Sequence, residues 1–399
     1  MHILVLGCGP AGLSLAAELA ELGAAVTAVA PSPTRRWQNR YGAWRDELPP
    51  DAPWVGTTWP TATLCAQTEH RWDRAYSAID GVALQRALLE RLQSAGGVVV
   101  DALAASATAK SVTLAQGETI AADIVVDATG SGGFARRDSP LPELWQTAWG
   151  AELQLPRGHA EPTGWCSSSM RLMDFSEPVL GEAPESGPPS FMYAMPFGEG
   201  RWFVEETVLV GPEVDFDVLK DRAVRRLSAL GVAAGWERSA AHEERCRIPM
   251  DMAPVTKGEI FAFGAAAGTI HPATGYSVAH SLAMARPVAE ALHHGGGSLN
   301  GAWQALWPAD AIACDTLYRF GGEVLAGLTL PQTQSFFEAF AGLPDAQRDG
   351  YQSRRLDRGD LARTMWNVFG RTSWGIRRIL TIAGTRRAPS LVSALFGRP

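Results

Sequence analysis

Residues 2–33, HILVLGCGPAGLSLAAELAELGAAVTAVAPSP, decide the fold that this sequence predicts. A short apolar run leads into Gly7, Gly9 and Gly12 with the spacing GxGxxG, and a helical segment and a second apolar run follow. Between a strand and a helix, such glycines permit a tight turn, a close approach of the backbone to a diphosphate, and close packing of helix on strand. The stretch therefore predicts a dinucleotide-binding unit, with the diphosphate at the start of the helix.

One part of the dinucleotide fingerprint is missing from this sequence. The second apolar run ends as VTAVAPSP, residues 26–33, without the acidic side chain that commonly binds the adenosine ribose. We expect Ser32 or a backbone group to take that place. Pro10 and Ala11, which separate the second and third glycines, are expected to contact the nucleotide as well.

Two later apolar runs also end in glycine-containing turns. Residues 122–130, ADIVVDATG, end in Asp127 and Gly130, and residues 260–292 combine an apolar run, a Gly/Ala turn and a helical segment. Three separated strand ends around one nucleotide indicate an FAD-binding, Rossmann-like fold of the glutathione reductase and hydroxybenzoate hydroxylase type. No second GxGxxG is present, which argues against a separate NAD(P)H domain. The third segment adds the candidate cofactor residues Gly264, Ala265, Pro272, Gly275 and Tyr276.

These signals divide the chain into three predicted parts. We expect a discontinuous FAD-binding domain over residues 1–130 and 259–296. An inserted antiparallel sheet that covers the substrate is expected over residues 131–258, and a helical C-terminal region over residues 297–399. The predicted fold class is therefore mixed α/β, with strands and helices both alternating and segregated along the chain.

Composition indicates a folded protein with an acidic body and a basic end. The 399 residues are 46% hydrophobic and 19% charged, with a net charge of −7, which makes nucleic acid a poor partner. Residues 351–399 reverse the balance, with ten arginines against two acidic residues, interleaved with aromatic and aliphatic side chains. This pattern favours an interfacial amphipathic helix on a membrane surface. A C-terminal helix packed on its own domain is the alternative.

Cysteine usage and apolar run length indicate the compartment. The five cysteines are scattered without a CxxC pair or a Cys/His cluster, so we expect neither disulfides nor a metal site. No basic segment precedes the first apolar run, and no apolar run reaches the roughly 18 residues of a membrane-spanning helix. A cytoplasmic protein peripheral to the membrane is therefore expected.

Residues 203–210, FVEETVLV, place two adjacent carboxyl groups in an apolar, β-branched run. The run forms the second half of a predicted hairpin whose turn is at residues 198–200. Because strand side chains alternate, Glu205 and Glu206 face opposite sides, and one of them faces inward whichever side is buried. Desolvation disfavours the charged form of an inward carboxyl, which then keeps its proton and can donate it.

Several segments resemble, in order and spacing, the flavin-dependent lycopene cyclases of plants and bacteria. They are RRWQNRYGAWRDEL (35–48), AYSAIDGVALQRALLERL (75–92), QTAWGAEL (146–153), FMYAMPFGEGRWFVEETVLV (191–210) and FAFGAAAGTIHPATGYSVAHSL (261–282). The resemblance runs from residue 1 to about residue 345, and its FVEET and HPATGYS blocks are specific to that family among flavoproteins. It departs from the family at Gln38 and Arg40 and in the arginine-rich end.

The resemblance implies a reaction and its catalytic carboxyl groups. Lycopene cyclases protonate the terminal double bond of a linear carotenoid such as lycopene and close a β-ionone-type ring without net redox change. Their FAD must nevertheless be reduced, with NADPH as reductant. The family signature assigns the acid to Glu205, and we expect Glu206 to be hydrogen-bonded and structural. The family's Asp-Glu pair falls on Asp46 and Glu47, which completes the candidate catalytic set.

The ring cation also needs electron-rich neighbours, and tryptophans are the first candidates. The candidate substrate contacts are Trp37, Trp44, Trp149, Trp202 and His271. A FAD-dependent monooxygenase or halogenase, a cyclase of another long polyene or terpenoid, and a non-catalytic carotenoid carrier stay open as alternatives. The number of ends cyclised, the choice between β and ε rings and the oligomeric state stay open too.

Overall fold

The protein is described by a computed structural model that covers residues 1–136, 140, 142–156, 161–176, 187–233, 235–240 and 242–397. Parts of the predicted insert 131–258 thus lie outside the described residues. In chain order, the elements are β1 (His2–Leu6), α1 (Pro10–Glu21), β2 (Ala25–Ala30), β3 (Tyr41–Trp44), β4 (Val55–Trp59), β5 (Thr61–Cys65), β6 (Glu69–Trp72), β7 (Tyr76–Ile79), α2 (Gly81–Ser94), β8 (Val98–Asp101), β9 (Ala104–Ala107), β10 (Ser111–Leu114), β11 (Thr119–Ala121), β12 (Ile124–Asp127), β13 (Trp145–Gln154), β14 (Ser169–Asp174), β15 (Ser190–Gly198), β16 (Arg201–Gly211), α3 (Phe216–Ala229), β17 (Glu243–Pro249), β18 (Phe261–Ala262), α4 (Val278–His294), α5 (Asn300–Leu306), α6 (Ala309–Ala326), α7 (Leu330–Ala341), α8 (Asp345–Gln352), α9 (Arg358–Arg371), α10 (Trp374–Arg386) and α11 (Ala388–Phe396).

A parallel sheet forms the first core, in the strand order β18-β12-β1-β2-β8. Strand β1 is apolar on both faces because both faces are covered. Ile3 and Val5 pack with residues of α1 and α4 on one side. Leu4 and Leu6 pack on the other side with Val112, from the small sheet β11-β10-β9. The first two strands and the helix between them match the prediction from residues 2–33.

A seven-stranded sheet forms the second core, in the order β17-β13-β16-β15-β14-β5-β6. Its pairings are antiparallel except for β14 with β5, which run parallel. Strands β5 and β6 come from residues 61–72, so the early part of the chain also contributes to this sheet. Helix α3 packs on one face of the sheet, and the other face points toward the interior between the two cores.

The predicted hairpin is formed by β15 and β16. Its register pairs Tyr193 with Glu205 and Met192 with Glu206. The turn runs through Gly198, Glu199 and Gly200, whose φ angles are 82°, 53° and 74°. Glycine adopts these left-handed angles without steric cost, which is why two of the three turn positions are glycine.

The C-terminal region is helical, as predicted, and its last three helices pack on the protein. Leu361, Val368 and Ile376 are buried, and α9, α10 and α11 all contact α6. The outer sides of these helices carry large exposed side chains, including Trp366 and Trp374. The basic end is therefore an integral part of the fold that also exposes an apolar surface. Among the described helices, none is both long and apolar enough to cross a membrane.

Candidate active site

A cavity of about 1400 Å³ extends from the glycine-rich turn to the C-terminal helices. Gly7 and Gly9 line one end, which lies at the carboxyl edge of the parallel sheet. Glu205 and Tyr193, from the seven-stranded sheet, line the middle part. Residues of α7 and α9, such as Phe337, line the other end. The cavity therefore joins the predicted nucleotide turn to the predicted acid.

The three glycines of the fingerprint have three different environments. Gly7 has a φ of 98°, and a Cβ there would lie 2.4 Å from the carbonyl oxygen of Ala128. A Cβ on Gly12 would lie 1.9 Å from the carbonyl oxygen of Gly7, so the start of α1 packs directly on the turn. A Cβ on Gly9 would meet no protein atom within 4 Å, and Gly9 lines the cavity. The open space at Gly9 suits a bound diphosphate at the helix N-terminus.

Most of the other predicted cofactor residues also line this cavity, namely Pro10, Ala11, Gly130, Ala265, Gly275 and Tyr276. Asp127 lies behind the wall, where its carboxylate accepts hydrogen bonds from the backbone N–H groups of Thr129 (3.0 Å) and Ala135 (2.8 Å). Gly264 permits a close approach to α1, because a Cβ there would lie 2.5 Å from the Cβ of Ala11. Pro272 does not line the cavity either. Asp127 and Gly264 therefore support the residues that line the cavity without lining it themselves.

A carboxylate missed by sequence reasoning lies beside the end of β2. The backbone N–H of Ser32, which lines the cavity, donates a hydrogen bond of 2.8 Å to Oδ1 of Asp101. Asp101 ends β8, the strand that pairs with β2. The acid that β2 lacks is thus supplied next to it by the neighbouring strand. Only the register between β2 and β8 could have identified it.

Glu205 faces the cavity on the same side of β16 as Thr207 and Leu209. The Thr207 hydroxyl donates a 2.7 Å hydrogen bond to its Oε1. Burial, and after it the neighbouring carboxylate of Glu244, raise the pKa of Glu205 to about 8, although the Thr207 hydrogen bond lowers it. At neutral pH this carboxyl group therefore holds a proton and faces an apolar cavity.

Glu206, a member of the candidate catalytic set, lies on the opposite face of β16 and outside the cavity. It is fully buried, and its Oε2 lies 3.1 Å from Nε of Arg226. The Ser190 hydroxyl donates a 2.6 Å hydrogen bond to its Oε1. Strand alternation thus gives adjacent glutamates two environments, an apolar cavity for one and a buried ion pair for the other.

Asp46 and Glu47 also lie outside the cavity, contrary to their place in the candidate catalytic set. Asp46 bonds to Nη2 of Arg74 at 2.8 Å and to Nη1 of Arg355 at 2.6 Å. Glu47 accepts a hydrogen bond from the Ser353 hydroxyl. Arg355 and Ser353 belong to the segment that begins at the end of α8. Asp46 and Glu47 therefore connect the residues after β3 to this distant part of the chain.

Only one of the predicted tryptophan contacts lines the cavity. Trp37 does so, and its Nε1 donates a 3.1 Å hydrogen bond to the Cys8 carbonyl oxygen. Trp149 and Trp202 are instead fully buried on the faces of β13 and β16 that point away from the cavity. Trp44 is fully buried against the rings of Trp72 and Tyr76.

His271 also belongs to the framework rather than to the cavity wall. Its Nε2 donates to the Tyr351 carbonyl oxygen at 3.0 Å, and its Nδ1 accepts from the Ala273 N–H at 3.1 Å. Burial lowers its pKa well below the ordinary value, so the ring is neutral. The histidine therefore anchors the HPATGYS turn to α8 and is not a substrate contact in this structure.

Tyrosines provide the aromatic surface near Glu205, and two of them, Tyr76 and Tyr193, are not among the residues that the sequence predicts for the site. Tyr76, Tyr193 and Tyr276 all line the cavity. The hydroxyl of Tyr193 donates to that of Tyr76 at 3.1 Å. A Cβ on Gly42 would lie within 2.8 Å of both hydroxyl oxygens, so this glycine makes room for them. Ring faces attract cations, so these tyrosines suit a cationic intermediate.

Comparison with known proteins agrees with this geometry. A family model described as lycopene cyclase protein matches residues 2–377. The chain belongs to the lycopene cyclase family. It is 33% identical over 426 residues to the chloroplastic lycopene beta cyclase of Nicotiana tabacum, covering 99% of this chain and 83% of the relative. It is 32% identical over 402 residues to the lycopene beta cyclase of Synechococcus elongatus, covering 94% and 95%.

The fold of this lycopene cyclase-family protein also has solved counterparts. A geranylgeranyl bacteriochlorophyll reductase-like protein of Thermoplasma acidophilum superposes with a TM-score of 0.66 at 15% identity, covering 99% of this chain and 98% of the other. At that identity the likeness shows the fold alone. The predicted fold class, an FAD-binding Rossmann-like fold with a C-terminal helical region, is confirmed, as is the predicted family.

Gly9→Val is expected to fold but to lose FAD. The protein leaves room for the side chain at residue 9, yet that side chain occupies the space next to the diphosphate. Flavin absorbance of the purified protein should disappear while its circular dichroism is unchanged. Gly12→Val is the opposite control, because its side chain collides with the Gly7 carbonyl and should prevent folding. Full flavin retention in Gly9→Val would contradict the assignment.

Proposed function

We propose that this protein cyclises a linear carotenoid such as lycopene, with Glu205 as the proton donor. The supporting observation is a carboxyl group that faces an apolar cavity and whose pKa burial raises to about 8. Alkenes are weak bases, so the donor must be a neutral acid in a dry, apolar setting. Glu205 meets both conditions, whereas Asp46, Glu47 and Glu206 are bonded to arginines outside the cavity.

The proposed reaction involves no net oxidation or reduction, because one proton is added to the substrate and one is removed. The Glu205 proton forms a C–H bond with one carbon of the terminal double bond, using its π electrons, and leaves a cation on the other carbon. A second double bond attacks that cation and closes a six-membered ring. The carboxylate that Glu205 has become then takes a ring proton, whose C–H electrons form the new double bond, so the product is an isomer of the substrate and the acid is regenerated. Tyr76, Tyr193 and Tyr276 line this part of the cavity, and aromatic rings stabilise cations.

The remainder of the cavity fits a long apolar substrate. Beyond the tyrosines its wall consists mainly of aromatic and aliphatic side chains of the C-terminal helices. They include Phe336, Phe337, Phe340, Leu380 and Leu391. One end of a polyene can therefore lie at Glu205 while the remainder of the chain extends under the helices.

We infer that FAD binds along the glycine-rich end, held by the Gly7–Gly12 turn, the Gly130 turn and the segment around Gly275, with Asp101 beside the adenosine ribose. Because Gly9 has no side chain, this end of the cavity has open space next to the turn. A bound, reduced flavin would supply negative charge that can stabilise the cation. NADPH is the proposed reductant, needed to reduce the flavin but not consumed with each product.

We also propose that the protein docks on the cytoplasmic surface of an anionic membrane through exposed side chains of α9–α11, together called the docking face. This docking face comprises Trp366, Trp374, Phe396, Arg371 and Arg378. The three aromatic side chains are 70%, 83% and 78% exposed, which is unusual for residues of this size. Trp366 also lines the cavity, so the docking face borders the helical end of the cavity. A carotenoid dissolved in the bilayer would thus enter without crossing water.

Glu205→Gln is expected to lower cyclisation of lycopene by about 10⁴-fold, because glutamine cannot transfer the proton. Pigment analysis in lycopene-accumulating cells measures this loss, as do assays of purified protein whose bound flavin has been reduced. Wild-type activity should fall as pH rises through about 8, since the donor must be protonated. Retained activity in Glu205→Gln would remove the acid from this residue, and oxygen uptake with one NADPH per product would indicate a monooxygenase.

Glu206→Gln is the matched comparison on the same strand. It leaves the buried Arg226 without its charge partner, so the free energy of unfolding should fall by about 3–5 kcal/mol. Urea unfolding measures this change, which Glu205→Gln should not show because Glu205 pairs with no cation among the described residues. We therefore expect Glu205→Gln to lower cyclisation activity and Glu206→Gln to lower the free energy of unfolding.

Membrane docking is expected to depend on both parts of the docking face. Each arginine near an anionic surface contributes about 1 kcal/mol, or about fivefold in binding, and salt screens it. Co-sedimentation with anionic liposomes should therefore weaken in Arg371→Gln/Arg378→Gln, in Trp374→Ser/Phe396→Ser, and at high salt. Val98→Ser, an exposed apolar residue on β8, is the control. Unchanged sedimentation of both double variants would exclude this face.

A further inference from the structure

A second carboxyl group lies on the cavity wall beside Glu205. Glu244, on β17, is almost fully buried and lines the cavity. Gly150, on β13, pairs with Glu205 on one neighbouring strand and with Glu244 on the other. Directly paired residues direct their side chains to the same face, so both carboxyl groups lie on the cavity side, with Cα atoms roughly 10 Å apart.

Gly150 leaves the space above β13 to the side chains of Phe203 and Glu205. A Cβ at this position would lie 2.6 Å from Cζ of Phe203 and 3.3 Å from Cγ of Glu205. The Glu205 side chain therefore extends over Gly150, in the direction of β17. A side chain at residue 150 would collide with the Phe203 ring and crowd the Glu205 side chain.

The two carboxyl groups have unequal hydrogen-bond partners. Glu244 accepts from Asn39 Nδ2 at 3.0 Å and from the Arg40 backbone N–H at 2.8 Å. Glu205 accepts from one hydroxyl group, that of Thr207. Two N–H donors stabilise a carboxylate more than one hydroxyl does, so within the pair the negative charge belongs on Glu244 and the proton on Glu205.

We propose that Glu205 and Glu244 form an electrostatically coupled pair in which ionised Glu244 holds the proton on Glu205. Glu244 is thus a positioning residue for the donor, and its importance for catalysis rests on the function proposed above. Two carboxyl groups this close and this poorly solvated resist simultaneous ionisation. The ionised carboxyl group on the cavity wall therefore keeps Glu205 protonated and neutral.

The other groups around Glu205 do not supply the negative charge that keeps it protonated. Cys246 on β17 and Tyr193 on β15 are uncharged near neutral pH, because burial raises the pKa of both above their ordinary values. Gln146 and Ala148, on β13, are neutral. The Arg40 guanidinium, from the loop before β3, pairs with Glu152. Glu244 is thus the charged group that these elements direct toward Glu205.

The test is an infrared pH titration of FAD-loaded protein with ¹³C-labelled glutamate carboxyl groups, which separates the protein band from the flavin carbonyls. In the wild type, a protonated carboxyl band should titrate near pH 8, and Glu205→Gln should remove it. In Glu244→Gln the midpoint should move down by roughly one pH unit, since the neighbouring negative charge is gone. The basic limb of the pH–activity profile should move with it.

Two variants serve as controls. Glu243→Gln changes the adjacent residue, which lies on the other face of β17 and pairs with Lys220 at 2.7 Å, and should leave the titration unchanged. Glu244→Asp keeps the charge and should restore the midpoint toward that of the wild type. An unchanged midpoint in Glu244→Gln overturns the pair even if the wild type cyclises lycopene. A shifted midpoint in a protein that does not cyclise lycopene overturns the proposed function and leaves the pair standing.

Discussion

The proposed chemistry depends on the desolvation of one carboxyl group. Glu205, Glu206, Asp46 and Glu47 have the same functional group, and their surroundings decide what each one does. Three of them bond to arginines and join parts of the fold. Glu205 makes no ion pair among the described residues, and burial raises its pKa. An acid that stays neutral in an apolar cavity is what proton transfer to an alkene requires.

Glycine residues contribute to the cavity around this acid because they leave space for neighbouring groups. Gly9 leaves space for the diphosphate, Gly42 for the hydroxyl groups of two tyrosines, and Gly150 for the Glu205 side chain. The glycine-rich turn belongs to the parallel sheet, the acid to the seven-stranded sheet, and the apolar end to the helices. A long substrate can therefore contact all three parts, and closing the cavity requires the C-terminal helices.

The sequence predicted the features that depend on local pattern. Residues 2–33 predict the nucleotide unit because strand, turn and helix are consecutive, and the period of two separates Glu205 from Glu206. The errors concern long-range pairing. Trp149 lies in a motif block, yet the direction of β13 turns it away from the cavity. Glu244 joins the site only because β17 pairs with β13, a register that no local pattern specifies.

Deuterium transfer from solvent to product follows the donated proton itself. The Glu205 proton exchanges with solvent before the substrate binds, so the reaction in deuterated water should place one deuterium in each new ring, on the carbon that was protonated. Mass spectrometry and NMR of the cyclic product locate it. A ring formed without deuterium at that carbon would contradict proton donation by an exchangeable acid.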